Sequence, residues 1–143
     1  MSVEENKALI LRLYDEVFGR WDLAVVDELI APEFVAHEMP PGTPKGPEGF
    51  REYYRWLRSS FPDLRYTADD IIAEGDRVAV RSTWTGTHTG HFMGIAPSGK
   101  HTTVQGIAVY RVAGGRCIER WVEFDMTSLL KQLGEMPAVA DRR

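Results

Sequence analysis

Apolar residues near the start of the chain recur with the period of a helix. They fall three and four positions apart and stop at Gly19, and they are Leu9, Ile10, Leu13, Tyr14, Val17 and Phe18. Ser2 and Glu5, just ahead of them, form the pattern of a capping box, in which each side chain pairs with a backbone amide of the first turn. The pattern therefore predicts an amphipathic first helix of about four turns.

Two further helices are predicted before residue 62. Asp22 can cap a short helix that ends at Pro32, and Pro47 suits the first turn of a third helix that "SSFPD" ends. The stretch "MPPGTPKGP" between them holds four prolines and two glycines. Because proline cannot donate a backbone hydrogen bond, we interpret this stretch as a loop.

The period changes to two from Leu64 onward, which is typical of strands. Breaks at "EGDR", "GTHTGHFMGIAPSGK" and "AGGR" divide four predicted strands, at about 64–74, 77–87, 100–112 and 116–125. Glycine-bearing connections between consecutive strands favour an antiparallel meander. A last short helix is predicted from Thr127 to Leu133, before Gly134.

This order of elements, helices first and strands afterwards, indicates the α+β class. We expect a curved antiparallel sheet with helices packed on its concave face, and such a sheet encloses a pocket that the helices fill only in part. The length of 143 residues favours one domain, residues 1–134, followed by a C-terminal tail, residues 135–143.

Composition and charge argue against some classes of binding partner. The net charge of −4 argues against nucleic acid and anionic membranes, because both require a basic surface. Cys117 is the single cysteine and "MSVEENK" lacks an apolar leader, so we expect a cytoplasmic protein. No window approaches the roughly 20 apolar residues of a membrane span.

The last strand carries the main candidate chemistry, in "ERWVEFD". Alternation places four residues on one face, Glu119, Trp121, Glu123 and Asp125, with Gln105 on the corresponding face of the strand before it. Burial beside an aromatic ring and a second acid would raise the pKa of Asp125 toward the range of a general acid or base. The alternative is that Asp125 caps the helix that begins near Thr127.

Histidines and aromatic residues supply the other candidates. His88, His91 and His101 do not have the spacing of zinc ligands, so we expect no metal site. His37 precedes the proline-rich loop and can be either exposed or part of a site. Aromatic residues such as Tyr14 and Trp56 can line an apolar pocket or belong to the core. Motifs for a nucleotide or a nucleophile elbow are missing, which argues against kinases, dehydrogenases and α/β hydrolases.

Four motifs together resemble one family. They are "FPDL", "GDRVA.R", "GTHTG.FMGI.P.GK" and "E.W...D......QLG", and the resemblance to the SnoaL-like polyketide cyclases covers roughly residues 9–134. The resemblance implies the cone-shaped α+β fold shared with nuclear transport factor 2, ketosteroid isomerase and limonene epoxide hydrolase.

The same resemblance implies a reaction. It is an intramolecular aldol condensation, free of cofactor and metal, that closes a ring of an aromatic polyketide ester, with Asp125 as general acid/base. His37 and Tyr14 match family positions that would contact the substrate, and Trp56, Gln105, Trp121 and Glu123 are the further predicted substrate-binding residues. Glu123 and Arg120 depart from the family's pattern.

Three interpretations of the pocket remain open at this point. The pocket can serve an enzyme, a non-catalytic protein that binds an apolar small molecule, or a dimerisation scaffold. We expect a homodimer, because alternation gives the face opposite Asp125 an apolar set too large to leave in water, namely Val104, Ala108, Tyr110, Val122 and Phe124.

Overall fold

A computed structural model describes residues 2–135. Four α-helices, α1 to α4, span Val3–Arg12, Val26–Leu29, Gly46–Ser60 and Met126–Gln132. Five strands, β1 to β5, span Ile30–Ala36, Arg65–Glu74, Arg77–Thr87, His101–Ala113 and Arg116–Phe124. The α+β prediction is confirmed, and the four predicted strands correspond to β2, β3, β4 and β5.

The N-terminal helix forms for the reasons that its sequence indicates. Ser2 Oγ accepts the Glu5 amide and the Glu5 carboxylate accepts the Ser2 amide, which completes the capping box. The helix continues beyond α1 as a π-helical segment, Leu13–Gly19. Asp22 caps a 3₁₀ turn, Leu23–Val25, that leads into α2.

The sheet has the order β1-β5-β4-β3-β2. Consecutive strands from β2 to β5 pair antiparallel, as the meander prediction requires. The edge strand β1 pairs parallel to β5, and the sequence prediction missed it. Pro32 lies inside β1, and because proline lacks an amide donor the sequence pattern predicts the end of a helix at this stretch instead of a strand. The sheet therefore contains one parallel edge strand in addition to the predicted antiparallel meander.

The concave face of the sheet is the apolar face, and the helices cover it. Val104, Ala108 and Tyr110 are buried there, and Val122 and Phe124 line the cavity behind them. We had expected these five residues on an exposed face, so the argument that they drive self-association is wrong. The homodimer itself remains a prediction.

A bulge sets which residues of β5 point inward. Arg111 of β4 pairs with Glu119, whereas Val112 pairs with Cys117, so one residue of β5 is extra. Such an extra residue changes the alternation along a strand. As a result Cys117 and Arg120, three positions apart, are both buried on the concave side.

The predicted tail, residues 135–143, lies outside the described residues apart from Glu135. Between Ser2 and Glu135, no helix is both long enough and apolar enough to cross a membrane.

We predict that alanine in place of Gly49, in the first turns of α3, destabilises the protein. A Cβ atom built on Gly49 would lie 1.7 Å from the Pro44 carbonyl oxygen. Glycine to alanine inside a helix ordinarily stabilises it, by roughly 0.5–1 kcal/mol. Here we expect Gly49→Ala to lower the free energy of unfolding by about 1–3 kcal/mol, the cost of overpacking. Urea denaturation measures it, with Glu52→Ala on the same helix as the control that changes stability little.

Candidate functional site

A cavity of ≈ 280 Å³ lies between the concave face of the sheet and the helices. This volume is near the lower end of the roughly 300–1,000 Å³ of small-molecule sites. Its wall is mainly aromatic, with Tyr14, Tyr53, Tyr54, Tyr66, Trp56 and Trp84 among the lining residues. Three sequence-distant elements supply these rings: the π-helical segment, α3 and the sheet.

One of the charged residues at this cavity is Arg120, whose side chain is 1% exposed. Its Nη2 donates to Glu38 Oε2, and its Nη1 donates to Tyr54 Oη at 2.8 Å. Burial acts to lower the pKa of Arg120, but the attraction of Glu38 and of the neighbouring phenol oxygens outweighs it, and the pKa lies well above its ordinary value. Arg120 therefore carries a positive charge inside an aromatic core.

Aromatic rings surround that charge. The guanidinium carbon of Arg120 lies 5.4 to 5.9 Å from the ring centroids of Phe34, Phe50, Tyr54 and Tyr110. Ring faces attract a cation, and the attraction is stronger where water is excluded. These contacts add to the ion pair with Glu38 in compensating the loss of hydration.

Two polar atoms of the pair stay without a partner. Within residues 2–135, Glu38 Oε1 and Arg120 Nε are buried and form no hydrogen bond. A buried polar atom left in this way costs about 1–3 kcal/mol. Glu38 is also the only carboxylate that the described chain contributes to the wall of this cavity.

Tyrosine hydroxyls and the hydroxyl of Ser82 are further polar groups at the cavity. Tyr14 Oη and Tyr110 Oη share a hydrogen bond of 3.0 Å. Burial raises the pKa of each of the five tyrosines of the chain: Tyr14, Tyr53, Tyr54, Tyr66 and Tyr110. The phenols are therefore hydrogen-bond donors that stay protonated at neutral pH.

Two of the predicted binding residues lie where we expected them. Tyr14 and Trp56 both line the cavity. Trp56 is 40% exposed, and its ring packs on Phe92 with the centroids 5.6 Å apart. Trp56 therefore lies at the rim, whereas Tyr14 is buried at the interior wall.

Three other predicted residues lie on the outer side of β5. His37, Trp121 and Glu123 line a separate depression, whose wall shares Glu38, Val122, Phe124 and Met126 with the cavity. The His37 ring stacks on Trp121 with the centroids 5.2 Å apart. The prediction that Trp121 lines the pocket is wrong, because the inward positions of this strand belong to Arg120, Val122 and Phe124.

Glu119 anchors this outer group. Its carboxylate interacts with His37 Nε2 at 2.6 Å and accepts Arg111 Nε at 2.9 Å. The hydrogen bond with His37, followed by that with Arg111, lowers the pKa of Glu119. Glu119 is thus a structural carboxylate on the outer surface.

Asp125 is exposed, and it caps α4. Its Oδ1 accepts the Ser128 amide at 2.9 Å, so the helix-cap interpretation is confirmed. The placement of Asp125 on the cavity face is wrong, although its neighbours Phe124 and Met126 both line the cavity. Gln105 is exposed as well, and its backbone carbonyl oxygen accepts the Asp125 backbone amide at 3.0 Å.

Sequence reasoning missed Glu38 and Arg120. Arg120 lies on the inward face of β5 together with apolar residues. Because both faces of the strand carry charged residues, the alternation of polar and apolar residues does not distinguish the inward face from the outward one. Glu38 lies in the turn after β1, and no local pattern connects it with a residue 82 positions away. The one available signal was the charge of Arg120 on the face that also carries Val122 and Phe124.

Histidine and acidic residues do not assemble into a metal site. In the part of the chain from Ser2 to Glu135, no three His, Cys, Asp or Glu side chains converge as ligands. His88 is buried instead, with Nδ1 accepting the Ser98 amide at 3.2 Å. It fixes the loop that carries Phe92 against the cavity.

The tyrosines predict the behaviour of the protein in alkali. Their pKa values are raised in the folded state, so their contribution to stability is complete below pH about 10 and is lost as the pH rises above it, because the unfolded chain ionises first. We expect the ultraviolet phenolate band to appear only together with unfolding, as followed by circular dichroism. A titration in urea is the control, with ionisation near pH 10. Ionisation at that pH with the fold intact would contradict the prediction.

Comparison with known proteins adds the family. The model of the SnoaL-like polyketide cyclases matches residues 8–133. A curated relative, nogalonic acid methyl ester cyclase of Streptomyces nogalater, is 25% identical over 120 residues, which are 77% of this chain and 84% of that protein.

Solved structures show the same fold. IdmH of Streptomyces antibioticus, a candidate polyketide cyclase, is 38% identical with a TM-score of 0.77, over 90% of this chain and 98% of that one. AclR of Streptomyces galilaeus, a candidate hydroxylase, is 31% identical with a TM-score of 0.80. The match covers 96% of this chain and 90% of that one. Proteins with this fold are thus described with different reactions, so the fold alone does not identify the reaction.

Proposed function

Because the chain belongs to the SnoaL-like polyketide cyclase family, we propose that it closes a ring of an aromatic, polyketide-type ester by intramolecular aldol condensation in its aromatic cavity. The observation that carries the proposal is the composition of this cavity. Its wall is mainly aromatic, and among residues 2–135 its charged groups are one buried pair, Glu38 and Arg120. A flat, largely apolar molecule with a few carbonyl groups fits such a wall.

The chemistry requires little beyond proton transfer. A C–H bond between two carbonyl groups is acidic, because the enolate that forms is delocalised. A carboxylate of suitable pKa can remove the proton, and hydrogen-bond donors stabilise the enolate oxygen. The enolate carbon then attacks a second carbonyl of the same molecule, and the new alkoxide takes up a proton. Carboxylate and phenol groups can carry out each of these proton transfers and hydrogen bonds.

The relatives support an ester as substrate. The protein from Streptomyces nogalater is, by its name, a cyclase of a methyl ester. We carry over to this chain only the class, an ester with enolisable carbonyl groups, because the residues around the cavity set which molecule fits.

Filling the cavity tests where the reaction occurs. Ala108 is buried and lines the cavity, so Ala108→Leu places three additional carbon atoms in the binding space. One methylene in a pocket changes kcat/KM by about 10–200-fold, and we expect a loss at least that large. The measurement is the ring-closed product formed from a polyketide methyl ester, by liquid chromatography. Ala79→Leu, on the other face of the sheet, is the matched control. Equal turnover in Ala108→Leu and wild type would contradict the proposal.

Two substitutions of Asp125 separate its cap from the general acid/base role that the resemblance implies. Asn can accept the Ser128 amide as Asp does, whereas Asp125→Ala loses the cap and about 1 kcal/mol of stability. If Asp125 transfers the proton, Asp125→Asn loses about 10²–10⁴-fold in kcat at unchanged stability. Retained turnover in Asp125→Asn would restrict Asp125 to the cap. Thermal unfolding and product formation, measured on both variants, decide between the roles.

A further inference from the structure

Glu38 is a buried carboxylate with an unused oxygen. Its side chain is 10% exposed, it lines the cavity, and its Oε2 is taken by Arg120. Its Oε1 has no partner among the atoms that the structure describes. A carboxylate oxygen has lone pairs to accept a proton, so Oε1 is an acceptor that residues 2–135 leave without a hydrogen-bond donor.

We propose that Glu38 is the base that removes the C–H proton of the substrate, that the Tyr54 hydroxyl donates a hydrogen bond to the carbonyl oxygen of the same substrate, and that Arg120 positions both. The inference rests on the proposed function, since it assigns the deprotonation step of that reaction to residues inside the cavity.

Arg120 holds the two groups on one rigid frame. A guanidinium is planar, and its terminal nitrogens point in fixed directions. One terminal nitrogen donates to Glu38 Oε2 and the other to Tyr54 Oη, so the carboxylate and the phenol have a fixed separation. Arg120 is itself a positioning residue, because it acts on the substrate through Glu38 and Tyr54.

Tyr54 is arranged as a donor. Its oxygen accepts from Arg120, and the hydrogen bonds of residues 2–135 provide no acceptor for its own hydrogen. Burial raises the pKa of Tyr54, so the phenol keeps this hydrogen at neutral pH. A phenol that accepts from a cation is polarised and becomes a stronger donor. Tyr54 lines the cavity, where a carbonyl oxygen of a bound ligand can reach it.

A purely structural role explains this pair poorly. Replacing a buried ion pair by apolar residues of similar volume is often neutral or stabilising, so a core of this kind gains little from Arg120 and Glu38. The pair also carries two unpaired atoms, Glu38 Oε1 and Arg120 Nε, which add to its cost. A cost of this kind is typical of functional sites.

The step balances without a co-reactant. The C–H bond of the substrate breaks, its proton goes to Glu38 Oε1, and its electron pair moves through the adjacent carbon to the carbonyl oxygen, where Tyr54 donates. The resulting enolate carbon forms the new C–C bond with the second carbonyl carbon. The oxygen of that second carbonyl becomes an alkoxide and takes the proton back from Glu38, which returns to its carboxylate form.

Deuterium exchange isolates the first half of this sequence. 2-Tetralone is a bicyclic ketone with an acidic CH₂ group, and it offers no second carbonyl for ring closure. In D₂O the wild-type protein should accelerate incorporation of deuterium at this carbon, as followed by mass spectrometry against a protein-free blank. We expect Glu38→Gln to lose about 10²–10⁴-fold of this acceleration, and Tyr54→Phe about 10²–10³-fold.

Matched variants keep the test decisive. Glu52→Gln, an exposed acid on α3, is the control and should exchange as fast as wild type. Because Glu38→Gln leaves the Arg120 charge without its counterion and can unfold the protein, the neutral pair Glu38→Gln with Arg120→Met is measured as well. Circular dichroism confirms that each variant is folded.

The outcomes separate the inference from the proposed function. Folded variants that lack Glu38 and retain exchange or ring closure overturn the role of Glu38. Exchange by wild type that depends on Glu38, with no ring closed in any polyketide ester, supports the base and overturns the proposed cyclisation. A wild type that neither exchanges 2-tetralone nor closes a ring overturns both.

Discussion

Arg120 holds a full positive charge in the middle of an aromatic core, and the surrounding structure has to compensate for the water that this charge has lost. The carboxylate of Glu38, the hydroxyl of Tyr54 and the faces of four aromatic rings together do so. These groups come from β1 and the turn after it, from α3 and from β4. A single guanidinium thus connects the turn after β1, α3 and β5 through side-chain contacts at the centre of the protein.

The bent sheet determines which residues meet this charge. The bulge between β4 and β5 turns Arg120 inward after Cys117, and the same strand then presents Val122 and Phe124 to the cavity. The residues between them face outward, where Trp121 stacks on His37 and Glu119 pairs with Arg111. One strand therefore builds an aromatic cavity on one side and a polar, ion-paired surface on the other.

The sequence was sufficient for the elements that depend on local patterns, such as the Ser2 capping box, the strands from Leu64 onward and the cap at Asp125. It was insufficient for β1, because Pro32 masks a strand whose pairing with β5 is not local. The face of β5 was misread for a related reason. A charged residue, Arg120, occupies an inward position, so alternation could not tell the two faces apart. Glu38 had no signal in the sequence, since its partner is distant along the chain.

The parallel pairing of β1 with β5 also has a consequence for the order in which the chain folds. Glu38 and Arg120 are 82 residues apart, and closing so long a loop is an entropic step that local helices and hairpins do not require. The meander from β2 to β5 can form from neighbouring segments. The ion pair, in contrast, requires the turn after β1, the first strand of the chain, to reach β5, the last strand. We therefore expect the ion pair of Glu38 and Arg120 to form late in folding, when β1 pairs with β5 and completes the sheet.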